Sequence, residues 1–267
     1  MKYLLLADIH GNVFALENCL KNLSQDEFDE IIFLGDYVSD IPRSHEVLEL
    51  IRKCQSEYKC HVIIGNREER VLSYIKGEHP DWTLDTRFAD AVYTASQLTE
   101  EDVTWLESLP QEIVLEVENK KLHISHDYDN EIEDGFDFKL FGHEHNQFNY
   151  KKDNLQVINP GSVGITVDEK PVMQYTILDI NKEGYEIKDF NIYYDMSEVI
   201  DSVRNAPTYN APYRWGKLLE LILLTGIDFI DKCMKEYDKL RASDGVEEDS
   251  LEYWNRALNN CNVFCEE

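Results

Sequence analysis

Five short segments carry side chains that bind metals or handle protons: Asp8-Ile9-His10-Gly11-Asn12, Gly35-Asp36-Tyr37, Gly65-Asn66-Arg67-Glu68, Ser125-His126-Asp127 and Gly142-His143-Glu144-His145. Each lies just beyond an apolar run, where a buried strand would end. Residues i and i+2 of an extended chain share a face. Asp8 and His10 would therefore reach one ion if the strand end stays extended, and His143 and His145 would repeat that geometry. A single Asp-x-His, or a His after a strand, is common as an ordinary loop residue. Five such segments in one order, all with hard or borderline donors and four with a Gly that permits close backbone approach, point to a metal site.

The elements that must position these residues follow from the periodicity. The first half alternates strand-like runs at 3–7, 31–34 and 62–64 with helical spacing at 13–23, 44–54 and 66–75, the mark of strand-helix-strand units around a buried sheet. A polar, helix-rich insertion spans 79–109, with Thr99 as a helix cap and Asp102 three residues later. Runs at 112–117 and 121–125 flank Asn119-Lys120 as a hairpin, and further strands at 138–141, 155–158, 173–180 and 185–194 suffice for a second sheet. From 196 to 267 the pattern is helical, so the chain divides into a domain at 1–195 that carries the five segments and a helical appendage at 196–267. The stretch Tyr213-Arg214-Trp215 and the apolar helix after it must bury a face, against the core, a second subunit or, as a lid, the cleft.

Composition narrows the partners. Lys and Arg number 26 against 53 Asp and Glu, a formal net charge of -27 that repels long nucleic acids and anionic membranes and leaves small substrates. The six cysteines form no CxxC pair, the apolar start is too short for a signal core, and the run at 218–224 is too short to span a bilayer. A cytoplasmic protein with reduced thiols is expected. His45, His61, His79 and His123 fall outside the ordered set and read as packed or surface residues.

The ordered segments resemble the calcineurin-like metallophosphoesterase superfamily, whose pattern is D-x-H, G-D, G-N-H-[DE], a later His and G-H-x-H, over about residues 1–195. The run Asn159-Pro160-Gly161-Ser162-Val163-Gly164 is similar to the segment after the last histidines in the small bacterial and archaeal, phosphodiesterase-like members. The resemblance implies an α/β fold, a four-layer α-β-β-α sandwich of two mixed sheets, with the helical appendage added. It also implies two divalent ions, one held by Asp8, His10, Asp36 and His145, the other by Asp36, Asn66, His126 and His143, with Asp36 bridging. Manganese is the first candidate, with Fe, Zn or Ni as alternatives, since no thiolate is in the set. Two ions about 4 Å apart would share a hydroxide that attacks a phosphoester in line. Asn12, Arg67 and His126 are the implied catalytic residues.

Two departures from the pattern matter. Arg67 stands where most members carry a His, and an arginine with a pKa above about 12 cannot protonate a leaving group, though its fork suits phosphate oxygens. This favours phosphodiesters over monoesters; the bland reading is that Arg67 only pairs with Glu68, Glu69 or Asp40. Ser125-His126-Asp127 replaces the common Gly-His or His-Gly pairing and gives Asp127 the chance to orient His126 or a water. Asn12 either lies near the phosphate or makes only local turn bonds. The alternatives to a diesterase are a phosphomonoesterase or protein phosphatase, and a silent metal-binding interaction platform.

Overall fold

Leucine- and isoleucine-rich runs pair into the first of two sheets in the computed structural model, which describes residues 1–23, 27–128, 135–168 and 171–264. Strands β1 (Lys2–Leu6), β2 (Glu30–Phe33) and β3 (Lys59–Val62) run parallel, joined by helices α1 (Val13–Asn22) and α2 (Ser44–Glu57). The strands β9 (Met173–Asn181) and β10 (Gly184–Ile192) add antiparallel on the β1 side, giving the order β10-β9-β1-β2-β3. The second sheet contains β4 (Glu112–Val117), β5 (Lys120–Ser125), β6 (Phe138–Leu140), β7 (Gln147–Lys152) and β8 (Leu155–Pro160), in the order β4-β5-β6-β8-β7. Both sheets mix parallel and antiparallel pairs, as the resemblance implied.

Alternation along the strands decides what each face buries. Leu5, Ile32 and Ile63 face the second sheet and meet Ile124, Phe138, Leu140 and Ile158. Leu4, Leu6 and Phe33 point the other way, onto Leu16, Leu48, Ile51 and Val71 from the helices. Each such side chain, fully buried, contributes about 1.5–3 kcal/mol relative to exposure. Helix α3 (Asn66–Ile75) follows β3, and α4 (Ala89–Gln97) and α5 (Glu100–Glu107) fill the expected insertion. Thr99 caps α5 as the spacing predicts, accepting from the Asp102 N–H at 3.2 Å while Asp102 accepts from the Thr99 N–H at 2.8 Å.

Two strands depart from the sequence expectation, β7 by its presence and β3 by its position. β7 has the sequence QFNYKK and is largely exposed at the sheet edge, so it lacks the apolar alternation that marks a strand. β3 ends at Val62, where residues 62–64 had been expected to form it; beyond it the Ile64 N–H turns to the Pro110 carbonyl, 2.9 Å away. The apolar run marked burial there, and the ladder lay upstream.

The helices α6 (Ser197–Asn205), α7 (Trp215–Thr225), α8 (Phe229–Asp244) and α9 (Leu251–Asn260) form the C-terminal part, with a 3-10 turn at Pro207–Asn210. They build a cluster of their own around Leu218, Tyr237, Trp254 and Leu258. A second cluster ties them to the sandwich, where Val199, Val203, Leu219 and Ile222 meet Ile41 and Ile165. Among the described residues, no helix is long and apolar enough to cross a membrane. The described cysteines, Cys19, Cys54, Cys60, Cys233 and Cys261, are all free, and Cys265 lies outside the described residues.

Candidate metal centre

The five segments converge at one end of the sandwich. Asp8, His10, Asp36 and His145 each offer a ligand atom, all within 4.8 Å of one another, and Asp36, His126 and His143 form a second group of the same kind. Asp36 belongs to both. Asn66 joins the second group through its Oδ1, 2.9 Å from His126 Nε2 and 3.0 Å from His143 Nδ1. Asp8 and His10 are fully buried and Asp36 nearly so, whereas His143 is exposed.

The backbone that delivers these groups is not extended. Asp8, His10, Asp36, His143 and His145 have φ of 54°, 50°, 55°, 71° and 55°, a left-handed conformation disfavoured for residues with a Cβ. This corrects the strand-end expectation: β1 stops at Leu6, and Asp8 and His10 reach one place through a turn. Bonds from Asp8 N–H to the Gly35 carbonyl at 3.1 Å and from His10 N–H to the Asp36 carbonyl at 2.9 Å hold that turn. The loops press closely enough to demand glycine. A Cβ on Gly35 would stand 2.6 Å from His126 Nδ1, and one on Gly65 would stand 2.4 Å from both the backbone N and Oδ1 of Asp36.

Several groups orient the ligands. His126 Nδ1 lies 2.7 Å from the Leu34 carbonyl, which fixes its proton there and turns Nε2 towards Asp36 Oδ1 at 3.3 Å. Asp40 sits 2.9 Å from His10 Nδ1. The buried Glu68 accepts from the backbone N–H groups of Asp36, Tyr37, Val38 and Gly65 at 2.7–3.0 Å and so fixes the loop that carries Asp36. The sequence reading gave Asp40 and Glu68 no part in orienting ligands. The signal for Glu68 was its place three residues after Gly65, the spacing at which a carboxylate reaches back to the start of a helix.

Protons compete with a cation for these ligands. Burial, reinforced by Asp36 and opposed by His126, pushes Asp8 up to about 7. Burial alone would also raise Asp36, but His126, His10 and Arg67 beside it hold it well below the usual carboxylate range. For His126, burial works against the charged ring, yet Asp36 and Asp8 lift it to about 10. His145 is pushed well below 6.5 by burial and by His10. Its Nε2 faces His10 Nε2 at 2.8 Å, an apposition that needs a proton or a cation between the two nitrogens. Buried carboxylates beside facing imidazole nitrogens have the donor chemistry of a divalent metal site, so the residues present fit such a group.

Three other expected site residues behave differently. Asn12 is fully buried and its amide is fully used: it accepts from the Ala15 N–H, capping α1, and donates to the Gly164 carbonyl and the Tyr194 hydroxyl. Of the two readings open for Asn12, the bond to the Ala15 N–H is the local one, and the other two bonds occupy both amide protons. Asp127 meets His143 Nδ1 at 3.3 Å, and not His126, whose orienting partner is a backbone carbonyl. The Arg67 guanidinium lies 3.5 Å from Asp40 and 3.7 Å from Asp90, which is the ion-pair reading for Asp40, with Asp36 3.9 Å away. His45 and His61 pair with Asp102 and Glu30, His123 with Glu112, and His79 stacks on Trp82, so none enters the cluster.

Residues 1–183 match a family model described as the calcineurin-like phosphoesterase superfamily domain. An uncharacterized protein of Methanocaldococcus jannaschii, MJ0912, is 26% identical over 74% of this chain and 90% of its own length. Among solved structures, a metallophosphoesterase from Sphaerobacter thermophilus superposes with a TM-score of 0.67 at 22% identity, covering 85% of this chain and 99% of that one. The hypothetical protein PH1004 from Pyrococcus horikoshii gives a TM-score of 0.67 at 20% identity, covering 82% and 97%. The structural likenesses are those of the fold.

Proposed function

Because the chain belongs to the calcineurin-like phosphoesterase superfamily, we propose that it is a metal-dependent hydrolase that cleaves a small phosphoester, with diesters favoured, at a centre holding two divalent cations. The observation that carries this reading is the meeting of two donor groups on one shared carboxylate, Asp36. Bound there, such cations would supply Lewis acidity, lowering the pKa of a water and offsetting charge on the phosphoryl oxygens; manganese is the first candidate.

The chain's own residues provide position and proton control. The Leu34 carbonyl keeps a proton on His126 Nδ1 and leaves Nε2 free to bind. The Asp40 carboxylate, 2.9 Å from His10 Nδ1, favours a proton on that ring, and Glu68 holds the backbone of Asp36 against its unfavourable conformation. Arg67 stays charged at every working pH, so it cannot give a proton to a leaving group. An ester whose leaving group departs without help is the substrate this supports, hence the preference for diesters and aryl esters. A net charge of -27 supports a small ester over a long polyanion.

The test is hydrolysis of bis-(p-nitrophenyl) phosphate and p-nitrophenyl phosphate by metal-stripped protein resupplied with manganese. The diester should turn over faster, and Asp36→Asn and His126→Ala should each lose at least about 100-fold in kcat/KM, the size expected when several kcal/mol of metal-linked stabilisation is removed. Equal or faster turnover of the monoester would remove the diester preference and leave a phosphomonoesterase. No release from either ester, in protein shown to bind two metals, would sink the hydrolase reading.

A further inference from the structure

A cavity of about 300 Å³ lies between the sandwich and the C-terminal helices, walled by Arg67 and Arg70 of α3, Arg87 and Phe88 ahead of α4, and Trp215 and Met234 of α7 and α8. It adjoins the metal centre. Asp40 on its wall is the residue 2.9 Å from His10 Nδ1, and Arg67 Nε is 3.9 Å from Asp36. In a chain with 53 acidic and 26 basic side chains, three converging arginines run against the overall charge.

Their charges are unequally satisfied. Arg67 is taken by Asp40 and Asp90. Arg70 lies three residues further along α3, on the same face, and its guanidinium has no hydrogen bond or ion pair among the described residues. Burial and the charge of Arg67 both work against Arg70, more than Asp90, Asp40 and Asp36 work for it. Arg87 Nε is buried without a hydrogen-bond partner among the described residues. The carboxylate of Asp249 is 4.0 Å from it and already accepts from the hydroxyls of Tyr213 and Tyr237. Trp215 Nε1 is likewise a buried donor with no acceptor among the described residues. Unpaired buried donors are unfavourable unless a ligand supplies the acceptors.

We propose that this cavity is a substrate subsite for a second phosphate, borne on the organic part of a phosphoester whose scissile group lies at the metal centre; this rests on the phosphoesterase reading above. Two guanidinium forks and an indole N–H, arriving from three elements, match the three oxygens of a phosphomonoester better than the two of a carboxylate. Ile230 and Met234 give the carbon skeleton an apolar wall. The C-terminal helices thereby contribute to substrate choice, because Trp215 and Met234 belong to them.

A pair of esters that differ only in the second phosphate tests this: thymidine 5'-(p-nitrophenyl phosphate) with and without a 3'-phosphate. The manganese-loaded wild-type protein should prefer the 3'-phosphorylated ester at least tenfold in kcat/KM, mostly through KM. Arg70→Gln and Arg87→Gln should each bring the ratio of the two esters towards one. Trp215→Phe, which keeps a ring and loses the N–H, should lower it less. A ratio near one in the wild type, or a ratio unmoved by either arginine substitution, overturns the subsite while leaving the hydrolase intact. If neither ester is hydrolysed, calorimetric titration of the metal-stripped protein with thymidine 3',5'-bisphosphate decides. Binding lost in Arg70→Gln keeps the subsite although the hydrolase reading has failed, and no binding to the wild type overturns it.

Discussion

At neutral pH, His126, lifted to about 10, carries a second proton, and Asp8, pushed up to about 7, is partly protonated. A cation needs the neutral imidazole and the bare carboxylate, so binding must displace those protons. With the proton between His10 and His145 counted as well, metal uptake at pH 7 should release roughly two protons or more, and affinity should rise with pH from 6 to 8. Calorimetry of manganese binding in buffers of different ionisation enthalpy measures this directly; a heat independent of buffer would show that these groups are not protonated before binding. The side chains of this centre were legible in the sequence, because metal-binding types recur there in a fixed order with glycines beside them. Their backbone was not. The left-handed turns at Asp8, His10 and Asp36 are held by partners far along the chain, such as Glu68 for the Asp36 loop, and a local alternation rule sees only neighbours. The long-range bonds of Asn12 were hidden for the same reason: Gly164 and Tyr194, which occupy its amide, lie 152 and 182 residues away.

Single elements were most legible where their signals are local. α3 has the bounds Asn66–Ile75 read from the sequence, and the Thr99 cap of α5 follows from a four-residue pattern. β7 was invisible because an exposed polar edge strand is defined by its neighbour β8 and not by its own residues. The α5 cap also sets a prediction. Burial would raise the Asp102 carboxyl, but bonds from Thr99, Arg52 and His45 outweigh it and hold it below 3.8. A carboxylate lowered in the folded state contributes stability above its unfolded pKa of about 3.9 and loses it as pH falls through the folded value. His45 shifts the other way, raised chiefly by Asp102, so its share is complete below about 6.5 and is lost as pH rises through the folded value. Asp102→Ala should thus cost about 1–2 kcal/mol, most between about pH 4 and 6.5 and least at the acid end. Urea melts of both proteins across that range measure it, and a deficit that does not change with pH would count against the linkage.

For the molecule as a whole, the excess of 53 acidic over 26 basic side chains sets two effects of salt against each other. Added salt weakens favourable exposed pairs such as Lys21–Glu17, Lys235–Asp231 and Lys188–Glu186. It also screens the mutual repulsion of a net charge of -27, which opposes the compact state. Exposed pairs are individually worth about 0–1 kcal/mol and the i,i+4 pairs less than half of that, so their loss is small. Repulsion acts among many carboxylates over distances comparable with the Debye length, about 8–10 Å near 0.1–0.15 M salt, and screening relieves it broadly. The second effect should win. Raising sodium chloride from 20 to 200 mM should increase Tm by roughly 2–4 °C, the shift expected of about 1 kcal/mol in a chain of this size. A Tm that falls with salt would mean that the surface pairs outweigh the excess charge. Chloride serves as the anion so that sulfate or phosphate does not enter the arginine-lined cavity and stabilise the fold by binding. A phosphate salt at matched ionic strength then gives a second comparison: extra stabilisation by phosphate, lost in Arg70→Gln, separates occupancy of that cavity from screening.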